Sequence, residues 1–394
     1  MNKKITNIKN IRNLTHLSLL NKDNTKLSNG KVRLLNKILL NFSSNDYLGL
    51  SKDKELINES IAWTKKFGTS LSSSRLVSGS MNEIKIIEEK ISRYKKKTNT
   101  LIMGSGFQCN STVIPAVIEN TIGSRKKAII FSDKYNHSSI HHGCLLSKQL
   151  TKRYRHLDYD HLESLIKKNK DIFPKLIVSE TVFSMDGDMV DIETLRFLAK
   201  KYDCLLYLDE AHSSGVFGEN GYGITPNNKY FDSENEIVVG TFSKAFGAYG
   251  SYVSSSKRII DRLINSCAGL IYSTALPPAI LGSISVAVEK IPKLMNTRNK
   301  LLENSKYLKN KLLKEGFNVT KTNSQIIPIL FSKNEISIKI SQKLMESGFY
   351  ISAILPPTVP IGKSRLRISL TKFLKKKDIN NFLEKLKTFK SSYE

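Results

Sequence analysis

The sequence predicts an α/β fold, with a large domain built on a mostly parallel sheet and a smaller α+β domain towards the carboxyl end. Three observations predict it. In the middle of the chain, short apolar runs alternate with stretches of helical periodicity, which is typical of a parallel sheet covered by helices on both faces. Polar residues follow each run, as expected where a ligand lies beyond the carboxyl ends of strands. After Pro277 and Pro278 this alternation stops and the pattern of a second domain begins.

The predicted strands of the large domain are the short apolar runs typical of buried parallel strands. In chain order they cover residues 101–103, 127–131, 175–179, 205–208 and 237–240. The first leads into a glycine turn at 104–107, before a predicted helix whose free N–H groups could hold a phosphate. Asp191 is the predicted N-cap of another helix. That helix has apolar residues at the helical period, namely Ile192, Leu195, Leu198 and Ala199.

The second domain shows a different order of elements. A helix is predicted near residues 335–346, followed by strands at 349–354 and 365–370. The last predicted helix has one apolar face, formed by Ile379, Phe382, Leu383 and Leu386. We therefore predict three parts of the chain: an N-terminal arm over residues 1–45, a large domain over 46–276 and a small domain over 277–394.

Composition describes a globular chain and argues against two classes of partner. The 394 residues are 40% hydrophobic with a mean hydropathy of −0.26. The net charge of +27 comes from 62 basic and 35 acidic residues, but the basic residues are scattered and no zinc-finger spacing accompanies them. We therefore predict no nucleic-acid partner. The most apolar stretch, 268–288, contains two prolines and is not predicted to span a membrane. The start of the chain does not resemble a secretory signal, so we expect a cytoplasmic protein.

The cysteines and histidines predict neither disulfides nor a metal site. Cys109, Cys144, Cys204 and Cys267 are far apart and form no Cys-x-x-Cys pair, which indicates a reduced intracellular protein. His137 and His141 are four residues apart and could share a helical face, as zinc ligands do. No carboxylate or second cysteine cluster completes that set, so we predict no bound metal.

Lys244 is the strongest candidate for a reactive residue. It lies in Thr-Phe-Ser-Lys-Ala-Phe-Gly, residues 241–247, directly after the predicted strand at 237–240. A lysine among hydroxyls and small residues at a strand end suits an amine that loses its proton and condenses with a carbonyl. A Schiff base to pyridoxal phosphate (PLP) is such a product.

An acid and a histidine follow the preceding predicted strand. Asp209 and His212 come after residues 205–208, and parallel strands bring such ends to the same edge of the sheet as Lys244. A carboxylate at that position can pair with the protonated pyridine nitrogen of PLP. An Asp after a strand can also cap a turn, but a cap does not explain the Lys and His beside it.

Several blocks of sequence together resemble the α-oxoamine synthase family of fold-type I PLP-dependent transferases. The resemblance runs from about residue 41 to 386. Its blocks are Asn-Phe-Ser-Ser-Asn-Asp-Tyr-Leu-Gly-Leu at 41–50, the segments 133–137 and 180–187, Leu-Asp-Glu-Ala-His at 208–212, 241–247, 271–274, 356–360 and Arg-Leu-Arg at 365–367. Their order matches that family, so the resemblance implies its fold and its cofactor, PLP.

The resemblance implies a catalytic role for three residues. Lys244 would carry the cofactor and move the substrate α-proton, Asp209 would pair with the pyridine nitrogen, and His137 would stack on the ring and assist proton transfer. It implies a cofactor-binding role for Gly106, Phe107, His137, Ser184, Asp209, His212, Thr241, Lys244, Ser273 and Thr274. Of these, Ser273 and Thr274 would reach the phosphate held by the other subunit of a homodimer with shared active sites.

The resemblance also implies the substrates. Asn45, His137, Thr358 and Arg367 would bind them, with Arg367 receiving the amino-acid carboxylate through its planar donors. The blocks at 45–49 and 356–360 look most like the biotin-biosynthesis branch, which condenses L-alanine with a pimeloyl thioester of coenzyme A or acyl carrier protein. Alternatives are 2-amino-3-ketobutyrate coenzyme A ligase, 5-aminolevulinate synthase and, more remotely, a catalytically silent partner subunit.

Two segments depart from the family pattern. Serines occupy residues 70 and 72–74, where the family usually has glycines beside the substrate channel. The branch also tends to place an arginine in the N-terminal arm to meet the acyl substrate, whereas this chain has only lysines between Thr15 and Lys31. The acyl contact in the arm is therefore left unassigned.

Overall fold

A computed structural model of the chain describes residues 14–20, 26–27, 29–118, 127–227, 231–232 and 234–390. Its centre is a seven-stranded sheet in the order β3-β9-β8-β7-β6-β4-β5. Only β9 runs against the other six strands. The strands are β3 (Asn99–Met103), β4 (Ile129–Asp133), β5 (Leu150–Tyr154), β6 (Lys175–Glu180), β7 (Cys204–Asp209), β8 (Glu236–Thr241) and β9 (Ser251–Ser255).

Helices cover both faces of this sheet because its strands are apolar on both faces. Alternate residues of β6, such as Leu176 and Ile177, belong to two separate hydrophobic clusters. One cluster contains side chains of α3 (Gly106–Ile118), α4 (Ser138–Leu146), α7 (Lys257–Ser266) and α8 (Ala268–Ile271). The other contains side chains of α5 (Tyr159–Lys168) and α6 (Ile192–Lys201).

A third hydrophobic cluster joins the N-terminal part of the large domain to the carboxyl end of the chain. Its helices are α1 (Lys54–Phe67), α2 (Asn82–Lys95), α9 (Pro278–Lys293), α10 (Met295–Lys314), α11 (Asn334–Glu346) and α12 (Lys376–Thr388). Helix α9 begins at Pro278, a position that tolerates proline because its N–H would have no helical partner. The predicted apolar face of the last helix is buried, as its four residues are at most 4% exposed.

Two small sheets complete the carboxyl end. In the first, β10 (Ile326–Phe331) pairs with β13 (Ser364–Ser369), which also pairs with β12 (Ala353–Ile354). In the second, β1 (Lys31–Leu34) and β2 (Lys37–Asn41) form a hairpin, and β2 pairs in parallel with β11 (Phe349–Tyr350). The part of the predicted arm that forms these strands therefore contacts the C-terminal region. Residues 1–13, 21–25 and 28 of the arm lie outside the described residues.

The predicted α/β class and strand–helix alternation are confirmed. The five predicted strands of the large domain coincide with β3, β4, β6, β7 and β8, and Asp191 accepts a hydrogen bond from the Thr194 N–H as the N-cap of α6. The single strand predicted at 349–354 is wrong. It is two strands, β11 and β12, which belong to different sheets because the chain changes partner between residues 350 and 353.

Candidate active site

The carboxyl ends of the parallel strands meet at one edge of the central sheet and enclose a cavity of about 210 Å³. Register explains why their polar residues converge, since Glu180 at the end of β6 pairs with Asp209 at the end of β7. Seven of the residues predicted to act on or bind the cofactor line this cavity, namely Gly106, Phe107, His137, Asp209, His212, Thr241 and Lys244. A neighbouring cavity of about 700 Å³ is lined by His137, Ser184 and Thr358. His137 therefore stands between the two cavities.

Lys244 follows β8 and lies in the cavity beside His212. Its Nζ lies 2.7 Å from Nε2 of His212. Burial lowers the pKa of Lys244 from its usual 10.5 to about 8, and the positive charge of Arg367 acts in the same direction. The negative charges of Asp209 and Glu180 oppose this shift. At pH 7 about a tenth of Lys244 is thus uncharged, far more than for a lysine with an ordinary pKa, and an amine needs this form in order to accept a proton or attack a carbonyl.

His212 connects Lys244 through hydrogen bonds to Tyr47 and Asn45, which come from the N-terminal part of the chain. Burial and the neighbouring charges of Lys244 and Arg367 hold the pKa of His212 well below its usual value, so its ring is neutral. Its Nε2 then accepts from Lys244, and its Nδ1–H donates to the Tyr47 oxygen at 2.6 Å. The Tyr47 hydroxyl donates in turn to Oδ1 of Asn45 at 3.2 Å. A continuous line of hydrogen bonds therefore runs from Lys244 to Asn45.

Asp209 is held in one orientation by two donors. Its Oδ2 accepts from the Asn110 side chain at 2.7 Å, and its Oδ1 accepts from the Ala211 N–H at 2.8 Å. The Asn110 amide is itself fixed, because its Oδ1 accepts from the Tyr207 hydroxyl at 2.7 Å and its nitrogen also contacts the Ser139 hydroxyl. The Asp209 side chain is buried, with only 4% of the residue exposed. A buried, oriented carboxylate of this kind can pair with a cationic group in the cavity.

The opposite end of the cavity can bind an anion. Helix α3 begins there at Gly106, beside Thr241 of β8. The Thr241 hydroxyl donates to the Gly250 carbonyl at 2.9 Å and accepts from the Ser243 N–H at 3.2 Å. The first N–H groups of a helix lack helical acceptors and favour phosphate groups. The residues predicted to hold the phosphate, Gly106, Phe107 and Thr241, lie at this end of the cavity, and their role stays a prediction.

His137 lies at the N-terminus of α4 and keeps an exposed ring face. Its Nδ1 accepts from the Ser139 N–H at 3.2 Å and lies 2.7 Å from the Ser139 hydroxyl. Burial and the charge of Lys244 lower the pKa of His137, while Asp209 raises it. The helix cap fixes the ring while leaving Nε2 available for a proton transfer.

Arg367 and Asn45 meet between the large domain and the C-terminal region. Arg367 lies on β13, and its Nε donates to the Ser184 carbonyl at 2.6 Å. Its Nη1 donates to the Ser369 hydroxyl at 2.7 Å and to Oδ1 of Asn45 at 3.3 Å. In the described part of the chain Arg367 forms no ion pair with an acid, so a substrate carboxylate would meet no competing anion there.

Ser273 and Thr274 lie apart from these residues. They line a different, small cavity that also contains Arg75. Thr274 is exposed and forms a β-bridge with Ser74 in the serine-rich segment. Within one chain they do not approach Lys244, and their expected contact with a second subunit stays a prediction.

Three further residues belong to this site and were not predicted as site residues. Tyr47 and Asn110 take part in the hydrogen bonds to His212 and Asp209. Glu180 lines the smaller cavity, where burial raises its pKa well above the usual value. Its Oε1 has no hydrogen-bond partner among the described residues. The spacing of Asn110, one helical turn after Gly106, could have placed it on the cavity side of α3.

Three further observations concern metal ligands, thiols and long apolar helices in the described chain. In that part, no group of histidine, cysteine and acidic side chains could hold a metal ion. All four cysteines are buried free thiols. Among the described helices, none has both the length and the apolar character needed to cross a membrane.

Comparison with known proteins identifies relatives along nearly the whole chain. The family Aminotransferase class I and II matches residues 37–386. A protein of Paramagnetospirillum magneticum, 41% identical over 90% of this chain and 89% of its own length, carries the provisional name 8-amino-7-oxononanoate synthase. A protein of Bacillus cereus with the same provisional name is 40% identical over 85% of this chain and 83% of its own.

Solved structures show the same fold. A serine palmitoyltransferase variant from S. paucimobilis, with a bound PLP–myriocin adduct, has a TM-score of 0.86 at 25% identity and covers 92% of this chain and 90% of its own. The 8-amino-7-oxononanoate synthase from Francisella tularensis has a TM-score of 0.77 at 26% identity. The match covers 90% of this chain and 99% of that protein.

Proposed function

The chain belongs to the aminotransferase class I and II family, and on that premise we propose that it is an 8-amino-7-oxononanoate synthase of biotin biosynthesis. The reaction condenses L-alanine with a pimeloyl thioester of coenzyme A or acyl carrier protein and releases CO2 and the free thiol. The observation that carries the proposal is that Lys244, hydrogen-bonded to His212, shares one cavity with a fixed Asp209. The provisional names of relatives about 40% identical to the chain support the choice of substrates.

The chain is a PLP-dependent acyltransferase, and the residues of the smaller cavity fit that cofactor. Lys244 offers an amine, Asp209 offers a carboxylate to the pyridine nitrogen, and the first N–H groups of α3, beside Thr241, are donors for the phosphate. His137 has an exposed ring face beside them, and His212 together with Ser184 is our candidate for the phenolic oxygen. When bound, PLP supplies an electrophilic aldehyde and a ring that withdraws electrons from the substrate α-carbon.

Lys244 is the proposed base for the α-proton of alanine. Its pKa, lowered to about 8, increases the uncharged fraction of the amine near neutral pH, and a base is most effective when its pKa is close to the working pH. After accepting the proton, Lys244 becomes an ammonium that donates to the neutral His212 ring at 2.7 Å. Asp209 keeps its negative charge facing the same cavity and stabilises positive charge on its partner.

The substrates are proposed to approach from the larger cavity. Arg367 is the proposed donor to the alanine carboxylate, with Asn45 beside it and Thr358 on the cavity wall. In the condensation, the α-carbon forms a bond to the thioester carbonyl carbon and the carbon–sulfur bond breaks, so the thiol leaves with a proton. The bond to the alanine carboxylate then breaks to give CO2, and the α-carbon takes up a proton. His137, between the cavities, is proposed to move a proton at the carbonyl oxygen.

We also propose a homodimer in which Ser273 and Thr274 reach the phosphate held by the other subunit. Support comes from their place, since they lie outside the Lys244 cavity, and Thr274 is exposed on its own chain. A residue that binds cofactor from such a position needs a second copy of the chain. In a two-fold dimer both sites would form together.

Reductive trapping tests the cofactor part of the proposal. Purified protein with PLP should show the long-wavelength absorbance of a lysine-bound cofactor, and borohydride followed by peptide mapping should locate PLP on Lys244. Lys244→Ala should bind PLP without being trapped, and Lys257→Ala, on the exposed start of α7, is the control. Trapping on another lysine, or none, would overturn the assignment.

A substrate assay tests the reaction itself. Alanine with pimeloyl-coenzyme A or pimeloyl-acyl carrier protein should give CO2 and free thiol, whereas glycine and serine should react more slowly. Glycine with acetyl- or succinyl-coenzyme A tests the two alternative synthases, and serine with palmitoyl-coenzyme A tests the reaction named for the solved relative. Faster turnover with any of these pairs would replace the proposed substrates.

A further inference from the structure

The larger cavity has an apolar wall and a basic end. Its volume is about 700 Å³, and His137 forms the end that it shares with the smaller cavity. Part of its wall is apolar and is formed by Phe183, Met185, Pro357 and Val359. A methylene chain that passes along this wall would leave water and be stabilised by about 0.8 kcal/mol per buried CH₂.

The basic end is formed by Lys134 and Arg153, which line the cavity beside His141. Burial and the charge of Arg153 lower the pKa of His141 to about 4, so its ring is uncharged at neutral pH. Arg153 lies on β5, and its Nη2 donates to the Lys134 carbonyl at 2.5 Å and lies 3.4 Å from Nε2 of His141. These contacts orient the guanidinium but do not neutralise it.

The acids near the basic end already have cationic partners. Asp186, on the cavity wall, pairs with Arg365 at 2.7 Å. Asp133 lies 2.9 Å from Nδ1 of His156. Over the residues that the structure describes, Arg153 is in no ion pair with an acid. An incoming carboxylate would therefore find an oriented guanidinium without a competing carboxylate on it.

We propose that the basic end binds the distal carboxylate of a dicarboxylic acyl substrate, with Arg153 as the specificity-determining residue. This inference rests on the proposed function, which supplies a thioester whose acyl chain ends in a carboxylate. Arg153 presents the planar fork of donors that pairs with both oxygens of a carboxylate. The thioester end of the same substrate lies at His137, beside the cavity that contains Lys244.

Acyl chains differ in how far they separate the thioester from the distal carboxylate. A pimeloyl chain has six carbon–carbon bonds from thioester to carboxylate and extends about 7 Å, at about 1.2 Å per bond as in an extended polypeptide. A succinyl chain covers only about half of that length. A site that holds the thioester at His137 and the carboxylate at Arg153 therefore distinguishes the two chains by length.

Arg153→Ala tests the proposal through a comparison of two thioesters. Pimeloyl- and heptanoyl-coenzyme A have the same number of acyl carbons, but only the first ends in a carboxylate. We expect kcat/KM with pimeloyl-coenzyme A to fall about tenfold to a hundredfold, as for the loss of a charge-assisted hydrogen bond. The value with heptanoyl-coenzyme A should not change. Arg155→Ala is the control, because that arginine pairs with Asp158 on the exposed connection after β5.

Direct binding separates this inference from the proposed function. Calorimetric titration without an amino acid should show that pimeloyl-coenzyme A binds the wild-type protein more tightly than heptanoyl-coenzyme A, and that the two bind Arg153→Ala equally. If pimeloyl-coenzyme A binds through Arg153 and no condensation occurs when alanine is added, the proposed function fails and the binding site stands. If condensation occurs and Arg153→Ala affects both thioesters equally, or neither, the binding site is overturned. If the two thioesters bind the wild type equally, the binding site is also overturned.

Discussion

At the scale of single residues, the site depends on the line of hydrogen bonds from Lys244 through His212 and Tyr47 to Asn45. Because Asn45 also accepts from Arg367, the same line connects the proposed base to the proposed carboxylate donor. The middle member, Tyr47, is fully buried. Its hydroxyl is therefore the place where this connection can be broken with the smallest change.

Tyr47→Phe removes that hydroxyl and leaves the His212 Nδ1–H without its acceptor. An unsatisfied buried polar group costs about 1–3 kcal/mol, so the free energy of unfolding should fall by about that amount in urea titrations. The turnover number should also fall, by about tenfold, while PLP remains bound. Tyr307→Phe is the control, since its hydroxyl donates to Asn380, an exposed residue. Unchanged stability and turnover in Tyr47→Phe would contradict the connection.

Asp209→Asn keeps the shape of the side chain and removes its charge. The amide cannot stabilise a protonated pyridine nitrogen, and the loss of one such electrostatic contact costs on the order of a hundredfold in rate. PLP absorbance should show that the cofactor is still bound, while kcat falls. Asp203→Asn, an exposed residue before β7, is the control. Near-normal turnover with normal PLP content would show that Asp209 is not the pyridine partner.

Lys244, Asp209 and His212 could be predicted from sequence because each lies at or just after the end of an apolar strand. Neighbouring parallel strands bring these ends to the same edge of the sheet, so the three residues are expected to lie close together. The unpaired Oε1 of Glu180 and the helix-cap role of His137 could not. Both depend on which side chains pack around them, and that is set by contacts between distant parts of the chain.

At the scale of secondary-structure elements, His156 connects three parts of the large domain. Its Nδ1 lies 2.9 Å from Asp133 at the end of β4, and its Nε2 lies 3.0 Å from Asp188 in the turn after β6. The ring stacks on Tyr135 at 4.5 Å and meets Phe183 edge-on at 4.4 Å. Burial alone would lower the pKa of His156, but the two carboxylates outweigh it and raise the pKa to about 9.

The contribution of His156 to stability should therefore depend on pH. Since its pKa is raised in the folded state, the contribution is complete below about pH 6.5 and disappears as the pH rises through about 9. The stabilisation by protonated His156 is at most about 3 kcal/mol, because each unit of pKa difference between the folded and unfolded states corresponds to about 1.4 kcal/mol. In urea titrations, the difference in unfolding free energy between wild type and His156→Asn should shrink from pH 6 to pH 9.5. His16→Asn, on the exposed N-terminal segment, should show no such trend, and a constant difference for His156→Asn would refute the assignment.

The strands and helices of the large domain could be predicted because the spacing of their apolar residues depends directly on which residues are buried. The error at residues 349–354 has a different origin. Both halves of that run are apolar enough to be strands, and nothing in the pattern indicates that β11 pairs with β2 while β12 pairs with β13. The choice of partner strand is a property of the assembled fold.

At the scale of the whole molecule, the C-terminal region is attached to the large domain around the site. Arg365 pairs with Asp186, Arg367 donates to the Ser184 carbonyl, and Gln325 donates to the carbonyl of His212. The α/β class and the cofactor could be predicted from the order of motifs. The proposed shared site requires a second chain, whose contacts no single sequence pattern specifies.

Mixed dimers test that shared site. Lys244→Ala chains and Thr274→Ala chains should each be weakly active alone. Mixing them after partial unfolding should restore about a quarter of wild-type activity, because half of the dimers are mixed and each has one intact site. Lys244→Ala mixed with itself is the control. No recovery on mixing, or full activity from a monomer in sedimentation experiments, would exclude a shared site.

The pairing of β2 with β11 has a consequence for synthesis of the protein. The two strands are separated by about 300 residues, and at roughly 5–20 residues per second a ribosome needs about 15–60 s to make the second after the first. Through that interval the β1–β2 hairpin has one strand edge without its final neighbour. Apolar residues such as Leu39, which is 1% exposed in the finished fold, would then be accessible. A chaperone that binds short extended apolar segments should therefore protect residues 37–41 on the nascent chain until the carboxyl end emerges.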